Sequence, residues 1–401
     1  MTDATITTEA AVALTWDVLV IGAGPAGAAA ALRLAWLGRR VLLTDRNLFP
    51  RPKVCGCCLS PAALRELALL DLRAGSVSPG VPLEAVWIGS AGSEARIDAT
   101  GGATLSREKL DSELVRAAIA AGAAWLPGTT VAEIEEHHAG AVASVRGARN
   151  APFAIHAKLI VIAAGLADAI RVRRTSAGQD RSMQPRSRQI ARASLIGLGT
   201  TLPADVGTLS GGELVMAVGR PGYAGIVRLE DGRIDVAAAI DAAAVSAAGS
   251  PALAIDMILA EVGGIARRSV PHDALATAAI RATPPLTHTT PLTSGTHGSI
   301  VRIGDAAAYV EPFTGEGIGW ALASARVLAS TLECSASSAD FSSRFAAAHA
   351  SVFAAHHARC RRIARAVRRP WLLAGAVQAA RLVPALAARA IPWVVGGGRL
   401  A

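Results

Sequence analysis

Asp17-Val-Leu-Val-Ile-Gly22-Ala-Gly24-Pro-Ala-Gly27 decides the fold, together with Asp45, an acid 23 residues beyond Gly22. The apolar run 18–21 is short and rich in β-branched residues, as a buried parallel strand is. Gly22 allows a tight turn, Gly24 lets a pyrophosphate approach the backbone, and Gly27 lets the next helix pack close to the strand. Residues 25–37 (PAGAAAALRLAWL) read as that helix, its free N–H groups and positive dipole end facing phosphate. Residues 40–45 (RVLLTD) read as the next strand, which places the Asp45 carboxylate to accept hydrogen bonds from a ribose diol. This βαβ unit establishes a dinucleotide site and leaves NAD and FAD both open.

A second stretch narrows the choice: Ile300-Val-Arg-Ile-Gly304-Asp305-Ala-Ala-Ala-Tyr-Val-Glu-Pro312-Phe-Thr-Gly315-Glu316-Gly317. A strand ending in Gly304-Asp305 offers a carboxylate to a second polyol, which the ribityl chain of FAD supplies. Gly315–Gly317 opens an Ala-rich helix running to about Leu332. Its N-terminus would sit against the pyrimidine edge of a flavin, where reduction places negative charge. Between the two stretches, Leu105-Ser-Arg107-Glu-Lys-Leu110-Asp111 starts a helix with an arginine available to phosphate or flavin.

In this order the three pieces resemble the FAD-dependent oxidoreductases of the p-hydroxybenzoate-hydroxylase fold. Within that group the chain looks most like the geranylgeranyl-reductase-like family. Its Cys-Gly segment is matched by Phe49-Pro-Arg-Pro-Lys53-Val-Cys55-Gly-Cys57-Cys58-Leu-Ser-Pro61. The resemblance spans about residues 15–330. It implies FAD contacts from Gly22, Gly24, Pro25, Ala26, Gly27, Asp45, Arg46 and Arg107. It implies further contacts from Gly304, Asp305, Pro312, Gly315, Glu316, Gly317 and Ile318, with Cys55 facing the flavin. Two departures stand out. Ala164 occupies the place of an Asp that helps hydroxylases handle pyridine nucleotide. The aromatic Tyr-x-Trp-x-Phe-Pro substrate strand is reduced to Gly222-Tyr223-Ala-Gly225, which leaves Tyr223 as the substrate candidate. The Trp-x-Trp-x-Ile-Pro signature of flavin-dependent halogenases is absent from the sequence.

The expected architecture is α/β. A Rossmann-like FAD-binding domain draws on residues 1–165 and 286–333, and strands are expected within it at 83–97 and 130–156. An interleaved substrate domain over 166–285 has the alternation of an antiparallel sheet with one covered face and would roof the flavin. Residues 168–187, polar and basic, read as a crossing loop. Residues 334–401 read as basic and apolar C-terminal helices.

A chain of 401 residues, 52% hydrophobic, can bury a large core. Residues 1–14 are polar and lack the basic start and apolar core of a leader, and no run reaches the roughly 20 apolar residues of a spanning helix. A cytoplasmic enzyme is therefore expected. From Phe341 onward there are ten Arg and no acid, against a net charge of +9 for the whole chain. An apolar stretch from Pro370-Trp371 to Trp393 follows. This pattern has two readings: an interfacial membrane anchor, or a helical cap whose Arg face is solvated. Nucleic acid is not an expected partner, because aromatics are only 4% and no recognition fold is visible.

Cys55, Cys57 and Cys58 lack a second Cys/His pair at zinc spacing, so no metal is expected. Lys53 reads either as a surface loop residue or as one that orients substrate, while His288 and His297 read as structural. The cofactor is FAD, with NAD(P)H a candidate electron donor. The leading function is reduction or oxidation of a hydrophobic small molecule, an isoprenoid or polyketide-like compound. The alternatives are an FAD monooxygenase acting on an aromatic or alkene, and an FAD-holding electron carrier serving a partner protein.

Overall fold

The computed structural model describes residues 5–70, 77–99, 101–147, 151–174, 188–294, 297–335 and 337–382. In chain order the elements that build the site begin with β1 (Thr15–Ile21), α1 (Pro25–Trp36), β2 (Val41–Asp45), β3 (Ala85–Ser90) and β4 (Ser93–Asp98). They continue with α2 (Arg107–Ala120), β5 (Ala124–Pro127), β6 (Thr129–His137), β7 (Gly140–Gly147), β8 (Phe153–Ile162) and β9 (Arg171–Arg174). Next come β10 (Ile196–Leu202), β11 (Glu213–Gly219), β12 (Gly222–Arg228), β13 (Ile234–Ile240), α3 (Pro251–Val262) and β14 (Arg281–Pro285). The last are β15 (Ile300–Arg302), α4 (Gly317–Glu333), α5 (Ser338–Val367) and α6 (Pro370–Leu382).

The first sheet has a parallel centre in the order β15, β8, β1, β2, β5. Its central strand is buried on both faces: Val18 and Val20 join the core under α1 and α4, while Leu19 and Ile21 join the core on the other side. Such double burial explains why 18–21 is continuously apolar rather than alternating. The meander β6–β7–β8 extends this sheet, and β9 pairs parallel with β6 at its edge. Arg171–Arg174 is thus a strand rather than part of a crossing loop. Arg171 and Arg173 both reach Glu133 of β6, so the basic run is held by charge from a neighbouring strand. Residues 175–187 of the expected loop lie outside the described residues.

The second sheet runs in the order β14, β10, β13, β12, β11, β3, β4. Its pairs are antiparallel except β11 with β3, which are parallel. The β3–β4 hairpin belongs to the first segment in sequence but hydrogen-bonds into this second sheet. Side-chain parity divides the two faces. Ile234, Val236, Ala238 and Ile240 pack with Ile255, Ile258 and Leu259 of α3, and the intervening residues turn toward the first sheet.

α5 follows α4 back across the first core. Phe341, Phe345, His349, Phe353 and His357 recur every four residues along it and stack with centroids 4.4 to 6.0 Å apart. His357 rests against Trp320 of α4 at 4.7 Å. Burial pushes both His349 and His357 down to about 4. Each imidazole is therefore neutral in the fold, while the unfolded chain gains a proton below about pH 6.5. The stability they contribute is complete above that value and is lost as pH falls toward 4. His349→Phe should remove about 2 kcal/mol of the stability difference between pH 7.5 and pH 5, read from denaturant midpoints. An unchanged pH dependence would show that His349 titrates normally in the fold.

Candidate active site

The βαβ turn is shaped by contacts that only glycine permits. Gly22 has φ +99°, and a Cβ there would lie 2.4 Å from the Ala163 carbonyl oxygen. A Cβ on Gly27 would lie 1.8 Å from the Gly22 carbonyl oxygen. Gly24 differs, since a Cβ there would meet only Arg107 Nη2 and Arg51 Nη2, each at 3.7 Å. Two guanidinium groups therefore converge over the start of α1, where no side chain caps the free N–H groups. The Arg51 Nε is buried and makes no hydrogen bond. A buried donor of this kind calls for an acceptor, and a pyrophosphate here would supply one.

Both arginines are held from behind by Asp111, which is fully buried on α2. Arg107 forks onto it through Nε and Nη2, each at 2.9 Å, and Arg51 approaches it at 3.4 Å. Against the cost of burial, Asp111 holds the Arg107 guanidinium above its ordinary value. Asp45, at the end of β2, accepts from the Ala23 and Asn47 backbone N–H groups, both at 2.9 Å. That fixes the carboxylate at the rim of the turn, in the place a ribose diol requires.

A cavity of about 630 Å³ runs from this turn to the second sheet. Its lining gathers Gly22, Gly24, Pro25, Ala26, Asp45, Arg46, Arg107, Asp305, Gly315, Gly317 and Ile318, together with Cys55 and Tyr223. Residues some 300 positions apart thus meet in one space. Gly27 and Gly304 act behind the wall instead. Gly304 has φ +58°, and a Cβ there would lie 2.8 Å from the Ala26 Cβ, so these two glycines bring strand and helix together. Pro312 belongs to the turn Pro312–Thr314 just before α4.

Glu316 departs from the expectation. Its side chain is buried and turned away from the cavity onto α5, where it pairs with Arg359 and accepts from Cys360 Sγ at 2.9 Å. Glu311 is likewise buried and paired with Arg368. The two carboxylates on the loop before α4 are therefore neutralised by the basic C-terminal helix. Both side-chain carboxylates are thus spent on pairs within the protein.

Asp305 and Lys53 face each other's field in the cavity wall. Burial pushes Asp305 up to about 6 against the pull of Lys53 and Arg107. Burial, then Arg107 and Arg51, push Lys53 down. Lys53 is thus part of the site rather than a surface residue. At Cys55, the neighbouring Cys57 thiol pulls the group down to about 5 despite burial, with help from Arg107. Hydrogen bonding to Cys55 and burial push Cys57 the other way. Among the described residues, no group of three or more His, Cys, Asp or Glu is placed to hold a metal. His288 is buried with Arg188 3.0 Å from its Nδ1. His297 donates its backbone N–H to Glu136.

The glycine cradle, the paired arginines and the strand-end carboxylates define a dinucleotide flavoprotein site. The chain belongs to the FAD-binding domain family, which matches residues 15–367, and it is an FAD-dependent oxidoreductase. It is 29% identical over 328 residues to the menaquinone reductase of Mycobacterium tuberculosis, covering 79% of this chain and 76% of that protein. A geranylgeranyl bacteriochlorophyll reductase-like protein from Thermoplasma acidophilum shares the fold with TM-score 0.68 at 20% identity, over 88% of each chain. A flavin-dependent brominase does so with TM-score 0.70 at 17% identity, over 96% of this chain and 94% of its own.

Arg51 was hidden from sequence reading, although its place between two prolines in Pro50-Arg51-Pro52 hints at a fixed side chain. Arg51→Ala should weaken FAD binding to the apoprotein by about 10- to 100-fold, the scale of a hydrogen bond to a charged group. Quenching of flavin fluorescence on titration reads this directly. An unchanged Kd would remove Arg51 from the phosphate site.

Proposed function

We propose that the enzyme reduces a hydrophobic isoprenoid substrate of the quinone type. One observation carries the reading. Every charged residue lining the cavity, from Asp45, Arg46 and Arg51 to Lys53, Arg107, Arg171 and Asp305, comes from the first sheet, its loops or α2. The second-sheet side contributes Gly197, Tyr223, Ala237, Ala238, Thr283 and Leu286, none of them charged. The cofactor side is polar and the roof is small and apolar, so the roof suits an uncharged ring or prenyl chain. Similarity to menaquinone reductase over most of both chains supports the same substrate class.

The flavin, once bound, supplies two-electron chemistry, and the protein's part is to orient and to donate. Tyr223 is buried, packs edge-on against Phe313 at 5.1 Å, and its hydroxyl proton finds no acceptor among the described residues. Burial, then the charge of Glu311, push its phenol well above the ordinary value, so it stays protonated and acts as a donor in search of an acceptor. A quinone carbonyl oxygen is an acceptor of the right kind. The small residues above the cavity leave room for that ring. Gly197 and Gly199 serve packing instead, since a Cβ there would lie 2.8 Å from Thr283 Oγ1 and 3.0 Å from Val54 Cγ1.

Anaerobically reduced holoenzyme should be reoxidised by menadione or a short-chain menaquinone with saturation, faster than free reduced FAD. Tyr223→Phe should slow that step by about tenfold with full flavin content, the loss of one hydrogen bond. If quinones and prenyl alkenes both fail, while oxygen plus an aromatic yields a hydroxylated product, the enzyme is a monooxygenase.

A further inference from the structure

We propose that the outer face of α5 and α6 docks on an anionic lipid bilayer, with the substrate end of the cavity directly behind it. The inward face of this helix pair is already occupied. Ile363 and Val367 of α5 and Leu373 of α6 share one apolar cluster with Leu166, Tyr223 and Leu286, three residues that also line the cavity. Gln378 of α6 donates to Ser93 Oγ at 3.1 Å, which ties α6 to the β3–β4 hairpin. The pair therefore forms the back wall of the apolar part of the site.

The outward face has a different chemistry. Arg362 and Arg365 are exposed on one side of α5 and Arg369 is exposed in the junction that follows it, and none of them makes an ion pair among the described residues. Their neighbours Arg359 and Arg368 are consumed inside, by Glu316 and Glu311. The free cations are thus left over after the internal charges are matched. Immediately after them, Trp371 is 69% exposed, and Leu382 at the far end of α6 is 80% exposed. Leu372 is also exposed. Between Phe341 and Leu382 there is no acidic residue to repel an anionic surface.

A basic cluster alone would suit any polyanion. The adjoining Trp and Leu side chains select a surface that also accepts apolar groups to headgroup depth, which is how peripheral helices bind bilayers. Single-signal attachment is weak, and charge together with inserted apolar area supplies the two signals that stable attachment requires. Among the described residues no single helix is long and apolar enough to cross a membrane, so the geometry is that of a helix pair lying on the surface. Docking is read from the outer face alone and does not depend on the proposed substrate.

The test uses FAD-loaded full-length protein and vesicles of phosphatidylcholine with or without phosphatidylglycerol. Wild type should sediment with the anionic vesicles at low salt and release as salt rises. The triple variant Arg362→Glu/Arg365→Glu/Arg369→Glu should lose at least tenfold in vesicle affinity, and Trp371→Ala should lose severalfold without any change of charge. Both should keep the wild-type melting temperature, flavin content and reaction with menadione, which has no prenyl chain to hold it in a bilayer. Retention of turnover separates this proposal from the substrate reading, which the menadione assay tests independently. Equal vesicle binding by wild type and the charge-reversed variant would overturn docking. So would binding to DNA in preference to vesicles, or a dimer by light scattering that the variant abolishes while wild type ignores lipid.

Discussion

The cofactor site depends on one buried carboxylate. Asp111 has no solvent exposure, and its two oxygens organise Arg107 and Arg51 over the start of α1. Without it, two guanidinium groups would be buried side by side with only Asp45, 3.7 Å from Arg51, to offset their repulsion. With it, they form a rigid cationic fork whose remaining donors point at the uncapped helix turn. A buried charge network of this kind costs desolvation energy on both sides. The return is position: the cations lie where the polar half of a dinucleotide arrives, before it arrives.

The rest of the architecture keeps that fork close to the chemistry. Ala28 to Ala31 of α1 are fully buried, as are Ala323 and Ala325 of α4. Small side chains let helices approach each other and the sheet closely. β15 and α4 bring Asp305 and the Gly315–Gly317 turn to the same cavity. The second sheet then covers it with its less bulky face, because the large residues of β13 point the other way, toward α3. The division between a polar floor and an apolar roof thus follows from strand parity.

The parts of this design that were legible in the sequence are those encoded over short spans. Gly22, Gly24, Asp45 and Gly304-Asp305 stand in local patterns whose geometry has few solutions; the structure brings Gly22, Gly24, Asp45 and Asp305 to one cavity and packs Gly304 behind its wall. Charge partners were not legible. Glu316 reads as a ligand because it sits between two glycines of the motif, and nothing nearby shows that Arg359 and Cys360 claim it. Arg171–Arg174 reads as a loop because its counter-charge, Glu133, lies on a strand far back in the chain. Lys53 looks like a surface lysine until the second sheet closes over it. Each of these residues has its role set by tertiary neighbours, which single-sequence periodicity does not report. The comparisons with known proteins settle the family and the cofactor, whereas the roof and the charge pairs come from the structure alone.

The pairing of Glu311 with Arg368 and of Glu316 with Arg359 has a consequence for biogenesis. The loop before α4 carries two buried acids that find their counter-ions only in the last part of the chain. On the ribosome, the loop and the nucleotide-binding turn emerge long before residues 359–368 do. Until then Glu311 and Glu316 lack the arginines that pair with them in the fold. Full charge compensation of this loop therefore waits until α5 has been made and has packed against it.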